Sequence, residues 1–217
     1  MKDKLIIFDM DNTLLRSRID FPKMRAAVYA LLEAEGLAQY ERGSTANTIL
    51  AFTESQDYDP ILAEEMWRQV AWIENEGLEQ SVLEPYALEA LERLEPYCEL
   101  AVLTNNTDYN LKENLGRLGL LPYLSCVAGR DSVPRLKPSP DGLLWVAAHY
   151  PDIPPERIVT IGDAMNDAQA AHAAGFAFVS YNNSRMEDWE TNGVQPLLRL
   201  TRWDPPACRQ ILALLGD

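Results

Sequence analysis

Short apolar runs that alternate with stretches of helical periodicity constrain this chain more than any other feature. Residues 5–8, 100–103, 126–128, 158–161 and 177–180 read as strands. Between them, residues 86–94, 109–118, 141–149 and 166–174 carry helical patterns, with Gly119 and Gly175 placed as C-terminal stops. This alternation predicts an α/β fold, a Rossmann-like parallel sheet wrapped by helices. Residues 197–200 read as an added edge strand, residues 207–215 as a closing helix, and Asn182-Asn183-Ser184 as a loop.

From residue 16 to 84 the rhythm breaks and no strand is expected. Pro22 opens a helical pattern in which Met24, Val28, Leu31 and Leu32 share a face, and Gly36 closes it. Asp59-Pro60 opens a second, with Leu62, Met66, Val70 and Ile73 on one stripe, ending before Gly77. Residues 45–52 form a weaker helix between them. The division expected is an α/β core of residues 1–15 and 85–217, with an all-helical cap, residues 16–84, inserted after the first strand. Trp67 and Trp72 read as residues of the cap's own core or of cap–core packing rather than a ligand platform, and Lys23, Arg25, Arg42 and Arg68 as solvated charges, any one of which could meet a substrate.

With 47% hydrophobic residues, the chain can build a packed core. Nineteen Lys and Arg face 33 Asp and Glu, for a net charge of −14, which argues against nucleic acid as a partner. A small phosphorylated metabolite is compatible, given a few local cations. No apolar run is long enough for a membrane span, and Met1-Lys2-Asp3-Lys4 leads into a short strand. The expectation is a soluble cytoplasmic protein, a monomer or weak homodimer, without membrane contact. Cys98, Cys126 and Cys208 have no metal-ligand spacing and read as reduced core thiols.

Polar clusters follow the strands in a consistent way. Asp9 and Asp11 follow the first, Thr104-Asn105-Asn106 the second, Lys137-Pro138-Ser139-Pro140 the third, and Gly162-Asp163-Ala164-Met165-Asn166-Asp167 the fourth. A parallel sheet brings all four to one edge, where open α/β sheets bind ligands. Asp9, Asp11 and Asp163 are hard oxygen donors suited to Mg2+. Lys137 and Thr104 add a point charge and a hydroxyl, the equipment for holding a phosphoryl group. Asp163 also fits a helix N-cap. Arg130-Asp131 reads as a loop-bracing ion pair, and His149 and His172 as structural or surface residues.

Asp9-Met10-Asp11-Asn12-Thr13-Leu14, Leu103-Thr104-Asn105, Lys137-Pro138 and Gly162-Asp163 with Asp167 resemble, in order and spacing, the four motifs of the haloacid dehalogenase superfamily. The helical insert resembles the cap of its phosphoglycolate phosphatase-like branch. The resemblance implies a Mg2+-dependent phosphatase acting on a small phosphomonoester, with Asp9 as nucleophile forming an aspartyl-phosphate and Asp11 as general acid/base. It implies that Thr104 and the Asn105 N–H hold the phosphate and that Lys137 balances its charge. Asp9, Asp163 and the Asp11 carbonyl would ligate Mg2+, with Asp167 and Thr13 behind them. Where the family most often has Gly, this chain has Asn12, a residue tolerant of positive φ. The alternatives are a sugar phosphomutase, or a catalytically silent binding or regulatory member. A dehalogenase fits less well, needing no acid at position 11. A phosphonate-cleaving relative would need a Schiff-base lysine, for which Lys23 alone stands in the insert.

Overall fold

A computed structural model describes residues 2–109, 111–182, 189 and 193–216. The chain divides into two units, one of residues 1–17 and 82–217 and the other of residues 18–81.

In the first unit, strands β1 (Leu5–Phe8), β4 (Glu99–Leu103), β5 (Cys126–Ala128), β6 (Ile158–Gly162), β7 (Ala177–Tyr181) and β8 (Leu198–Leu200) form one sheet in the order β5-β4-β1-β6-β7-β8. Every pairing is parallel. All four residues of β1 are buried because both faces of the sheet are covered, which is why the run LIIF shows no alternation. Leu5 and Ile7 join the core cluster of Leu103, Leu143, Val146 and Ala171. Leu143 and Val146 come from α6 (Asp141–Ala147), and Ala171 from α7 (Met165–Ala174). Helices α4 (Ala87–Leu94) and α8 (Pro205–Leu214) pack on each other, while α5 (Leu111–Arg117) completes the unit. Cys98 and Cys208 are buried free thiols and Cys126 is half-buried; burial pushes the Cys98 thiol up to about 11.

Strand and helix types match the expected pattern closely, and the ends differ for local reasons. The helix expected to 149 stops at Ala147, because the His149 ring nitrogen Nδ1 lies 2.9 Å from the Trp145 carbonyl. That carbonyl is the one an extra helical turn would give to the His149 amide, which bonds Val146 instead. Gly119 and Gly175 stand at φ of 78° and 76°, as helix stops require. Within the expected loop Asn182 has φ of 42°, while Asn183 and Ser184, like Asn110 of the predicted helix 109–118, lie outside the described residues.

One expectation fails at the insert's boundary. Residues 16–84 were expected to hold no strand, yet β2 (Leu15–Arg16) and β3 (Val82–Leu83) pair antiparallel, Leu15 with Leu83 and Arg16 with Val82. Two-residue strands are too short to show any alternation in sequence.

The second unit is a three-helix bundle of α1 (Phe21–Ala34), α2 (Thr45–Thr53) and α3 (Pro60–Gln80). Asp20, Ser44 and Asp59 cap them, each accepting a first-turn amide. Met24, Val28 and Leu32 are buried on α1, and Met66, Val70 and Ile73 on α3. Trp72 is not part of this unit's core: it is 55% exposed, with the Lys23 ammonium 4.6 Å from its ring centre. It lies off the 66-70-73 stripe, so the helix turns it outward. Lys23 also bonds Glu76 at 2.9 Å, and Arg42 bonds the Gln39 and Glu41 carbonyls.

Gly77 does not end its helix, which runs three residues further. A Cβ there would fall 2.4 Å from the Ile19 Cα, so this glycine serves close approach. Gly77→Ala is therefore expected to destabilise the protein despite a gain of about 1 kcal/mol in helix propensity. Backbone overpacking costs about 1–3 kcal/mol, so the melting temperature should fall; an unchanged or raised value would contradict the contact.

Candidate active site

The chain order places β1 at a topological switch point. From β1 the sheet grows to β4 and β5 on one side, then crosses to β6 on the other. The crevice beyond the carboxyl ends of β4, β1 and β6 is where such sheets bind ligands. Asp9 is the first residue past β1, and its amide still pairs with the Ile161 carbonyl at 2.8 Å. Its carboxylate therefore leaves the sheet on a fixed backbone.

The turn that follows is wound tightly. The Met10 carbonyl lies 3.3 Å from the Thr13 amide and 3.0 Å from those of Leu14 and Leu15, all three bonded to it. Asn12 takes φ of 56°, the left-handed value expected for a residue standing where glycine is common. Met10, Leu14 and Leu15 are fully buried and anchor the turn.

Lys137 sits at the centre of the site, with a side chain only 4% exposed. Its ammonium spends all three hydrogens on fixed acceptors: Asp9 Oδ1 at 2.7 Å, Asp167 Oδ1 at 2.6 Å and the Leu103 carbonyl at 3.0 Å. Burial alone would push the Lys137 ammonium down, but the two carboxylates outweigh it and raise it, so the charge is retained. The Asn105 amide sets the lysine's backbone, donating to the Lys137 carbonyl at 2.9 Å and accepting its N–H at 3.0 Å. Burial raises the Asp9 carboxyl well above the usual range against the pull of Lys137, with Asp167, Asp163 and Asp11 adding like charge.

Oxygens of Asp9, Asp163 and Asp167 lie within 4.8 Å of one another, a donor set of hard oxygens that fits a small divalent cation. Asp163 does not cap α7. Ala164 holds the cap position, and its amide donates to Asp167 Oδ2 at 3.1 Å, because Asp167 is the acid that turns back over the helix start. Gly162 makes this possible: a Cβ there would lie 2.5 Å from the Asp167 carboxyl carbon.

Asp11 is buried and stands apart from the three-acid cluster. Asp11 Oδ2 accepts from the Asn106 amide at 2.6 Å, and Oδ1 is buried without a hydrogen-bond partner. Burial raises its carboxyl, while Ser17 and Asn106 pull the other way. Thr104 is buried, and its hydroxyl accepts the Asn106 backbone N–H at 3.2 Å. Thr13 is fully buried with an unpartnered Oγ1. Asp9, Lys137, Asp163 and Asp167 thus form one group and Asp11 a second with Asn106, while Asn105 bonds the Lys137 backbone and Thr104 the Asn106 backbone N–H.

Three contributors carry no role in the sequence pattern, one of them Ser17, whose side-chain hydrogen bond pulls the Asp11 carboxyl down. Asn106 lay in the Thr104-Asn105-Asn106 cluster but had no role of its own. Arg130 pairs with Asp131 at 3.8 Å as expected, yet its guanidinium also donates to the Asn105 carbonyl at 3.1 Å. Nothing in the spacing announced that bond.

A doubly covered parallel sheet with acids and one buried ammonium at its carboxyl edge is the build of a Rossmann-like enzyme. A family model described as haloacid dehalogenase-like hydrolase matches residues 4–175. The chain is 32% identical over 187 residues to a phosphoglycolate phosphatase of Aliivibrio fischeri, covering 79% of this chain and 81% of that protein. It is 30% identical over 186 residues to the Vibrio vulnificus phosphoglycolate phosphatase, covering 80% and 81%. Among solved structures, a HAD-superfamily hydrolase of subfamily IA from Geobacter sulfurreducens matches with a TM-score of 0.60 at 26% identity, covering 98% of this chain and 96% of that one. The chain belongs to the haloacid dehalogenase-like hydrolase family, in its phosphoglycolate phosphatase-like branch. Among the described residues no helix is long and apolar enough to cross a membrane.

Proposed function

We propose that this protein is a Mg2+-dependent phosphatase that hydrolyses a small phosphomonoester through an aspartyl-phosphate on Asp9. The observation that carries the reading is the Lys137 ammonium clamped between Asp9 and Asp167 at 2.7 and 2.6 Å. This fixed, water-poor charge lies beside the attacking carboxylate, as charge neutralisation in phosphoryl transfer requires. An oxygen of Asp9 attacks phosphorus and the bond to the leaving oxygen breaks. Asp11 gives that oxygen a proton; its raised carboxyl suits it to hold one. A water then attacks the phosphorus of the acyl phosphate, Asp11 takes its proton back, and inorganic phosphate and free Asp9 are released. Asp9, Asp163 and the Asp11 carbonyl would hold Mg2+, which would supply charge neutralisation for the phosphate oxygens. Thr104 and the Asn105 N–H would hold the transferring group.

For substrate, the names of the relatives favour 2-phosphoglycolate or a similarly small phosphorylated acid. The test is phosphate release from a panel of phosphomonoesters containing 2-phosphoglycolate, hexose phosphates and nucleoside monophosphates. We expect hydrolysis with Mg2+, with 2-phosphoglycolate among the better substrates, and loss of at least about 10²-fold on chelation. Release that survives the chelator, or none from the whole panel with Mg2+ present, would overturn the reading.

A further inference from the structure

We infer that Trp203 is a positioning residue for the turn that carries Asp9 and Asp11, acting through the Thr13 carbonyl. The inference rests on the phosphatase reading for its catalytic consequence, though its structural content stands without it. The indole Nε1–H donates to the Thr13 carbonyl at 2.8 Å, across 190 residues of sequence. Trp203 is completely buried, and so is Thr13. Inside a protein a backbone carbonyl left unpaired is costly, so this bond fixes where the turn can lie.

The ring that makes the bond has little freedom to move. Tyr181 stacks on it at 4.7 Å and 14°, and Phe8 meets it edge-on at 5.7 Å and 65°. Asp204, the next residue, caps α8 by accepting the Ala207 amide at 2.9 Å, which fixes the backbone beside the indole. The neighbouring carbonyl is held as well, since Leu14 O accepts the Glu84 amide at 2.8 Å. Glu84 in turn accepts from the Tyr181 hydroxyl at 3.3 Å. Two consecutive carbonyls at the exit of the catalytic turn are thus pinned, that of Thr13 by Trp203 near the far end of the chain and that of Leu14 by Glu84 just past β3. The entrance is pinned by β1. Between the two lie Asp9 and Asp11, whose relative placement a shift of about 1 Å would spoil.

Trp203→Phe keeps an aromatic ring between Tyr181 and Phe8 and removes the N–H donor. In the full-length protein with Mg2+ and the best substrate of the panel, kcat is expected to fall 10- to 100-fold with KM within twofold of wild type. Amide hydrogen exchange at Thr13, Leu14 and Leu15 should quicken at least tenfold, while Ile6 to Phe8 stay protected. Phe178→Leu, a buried change on β7, controls for lost stability and should leave both readouts within threefold. A kcat within twofold of wild type, unchanged exchange in the turn, or the same kcat loss in Phe178→Leu at matched melting temperature would each overturn the inference. If wild type hydrolyses nothing, the phosphatase reading fails and the exchange measurement alone decides the role of Trp203. If Trp203→Phe does not fold, replacement of Trp203 by 3-benzothienylalanine, which keeps the bicyclic shape and lacks the N–H, takes its place.

Discussion

Asp9→Asn is expected to lose at least about 10⁴-fold in turnover while keeping its fold. The amide occupies the same space but offers no anionic oxygen to attack phosphorus, so no aspartyl-phosphate forms. The fold survives because the amide fills the same space and its oxygen can accept the hydrogen bond that the Lys137 ammonium gives Asp9. Lys137 keeps its partners Asp167 and the Leu103 carbonyl. A pH dependence of stability follows for the metal-free wild type. Between the ordinary value of 3.8 and the raised native value, the folded state binds more protons at Asp9 than the unfolded state does. Stability from this group is thus present at low pH and falls as pH rises through that window. Asp9→Asn removes the slope, so its melting temperature should compare best with wild type at the upper end. Phosphate release at a tenth of the wild-type rate, checked against the same panel, would show that Asp9 is not the nucleophile.

Lys137→Met is expected to damage both activity and stability. Removal of the ammonium leaves Asp9 and Asp167 facing each other with side chains 11% and 6% exposed and no cation between them. Breaking one side of a buried ionic group costs about 3–5 kcal/mol, which for a chain of this size lowers the melting temperature by about 10 °C. Activity should fall by at least about 10²–10³-fold, the scale of losing one preorganised donor at the reacting centre. The double variant Lys137→Met, Asp167→Asn removes one of the two opposed carboxylates and should recover part of the stability but none of the turnover. Equal melting temperatures for the single and double variants would show that the acids do not repel, and the clamp would lose its electrostatic meaning.

Legibility in the sequence followed the range over which each feature is set. The strands were readable because LIIF and its counterparts are local apolar runs, and the helix types because their stripes recur every turn. The convergence of Asp9, Thr104, Lys137 and Asp163 was readable because a parallel sheet puts all strand ends on one edge. Gly77 misled because glycine as a stop signal and glycine as a close-contact residue look alike until Ile19 is placed against it. Trp72 lies outside the helical core because its angle around α3, off the 66-70-73 stripe, decides its burial and its size does not. Asp163 fits a helix cap by its position just before α7, and only the backbone turn shows that Asp167 is the acid that accepts the cap amide. Asn106 and Arg130 were silent because their partners, Asp11 and the Asn105 carbonyl, lie far along the chain.

The β2–β3 ribbon has a structural corollary. Leu15 faces Leu83 and Arg16 faces Val82, so the core's chain leaves and returns at neighbouring points. To the parallel sheet, residues 18–81 are in effect the loop of a hairpin. Loop closure depends only weakly on length, at about 0.6 kcal/mol for each doubling. Helices can lengthen, shorten or be rewritten within that loop while the ribbon holds the catalytic turn's exit in place. The inserted residues therefore leave and re-enter the core's chain at one ribbon, Leu15-Arg16 against Val82-Leu83.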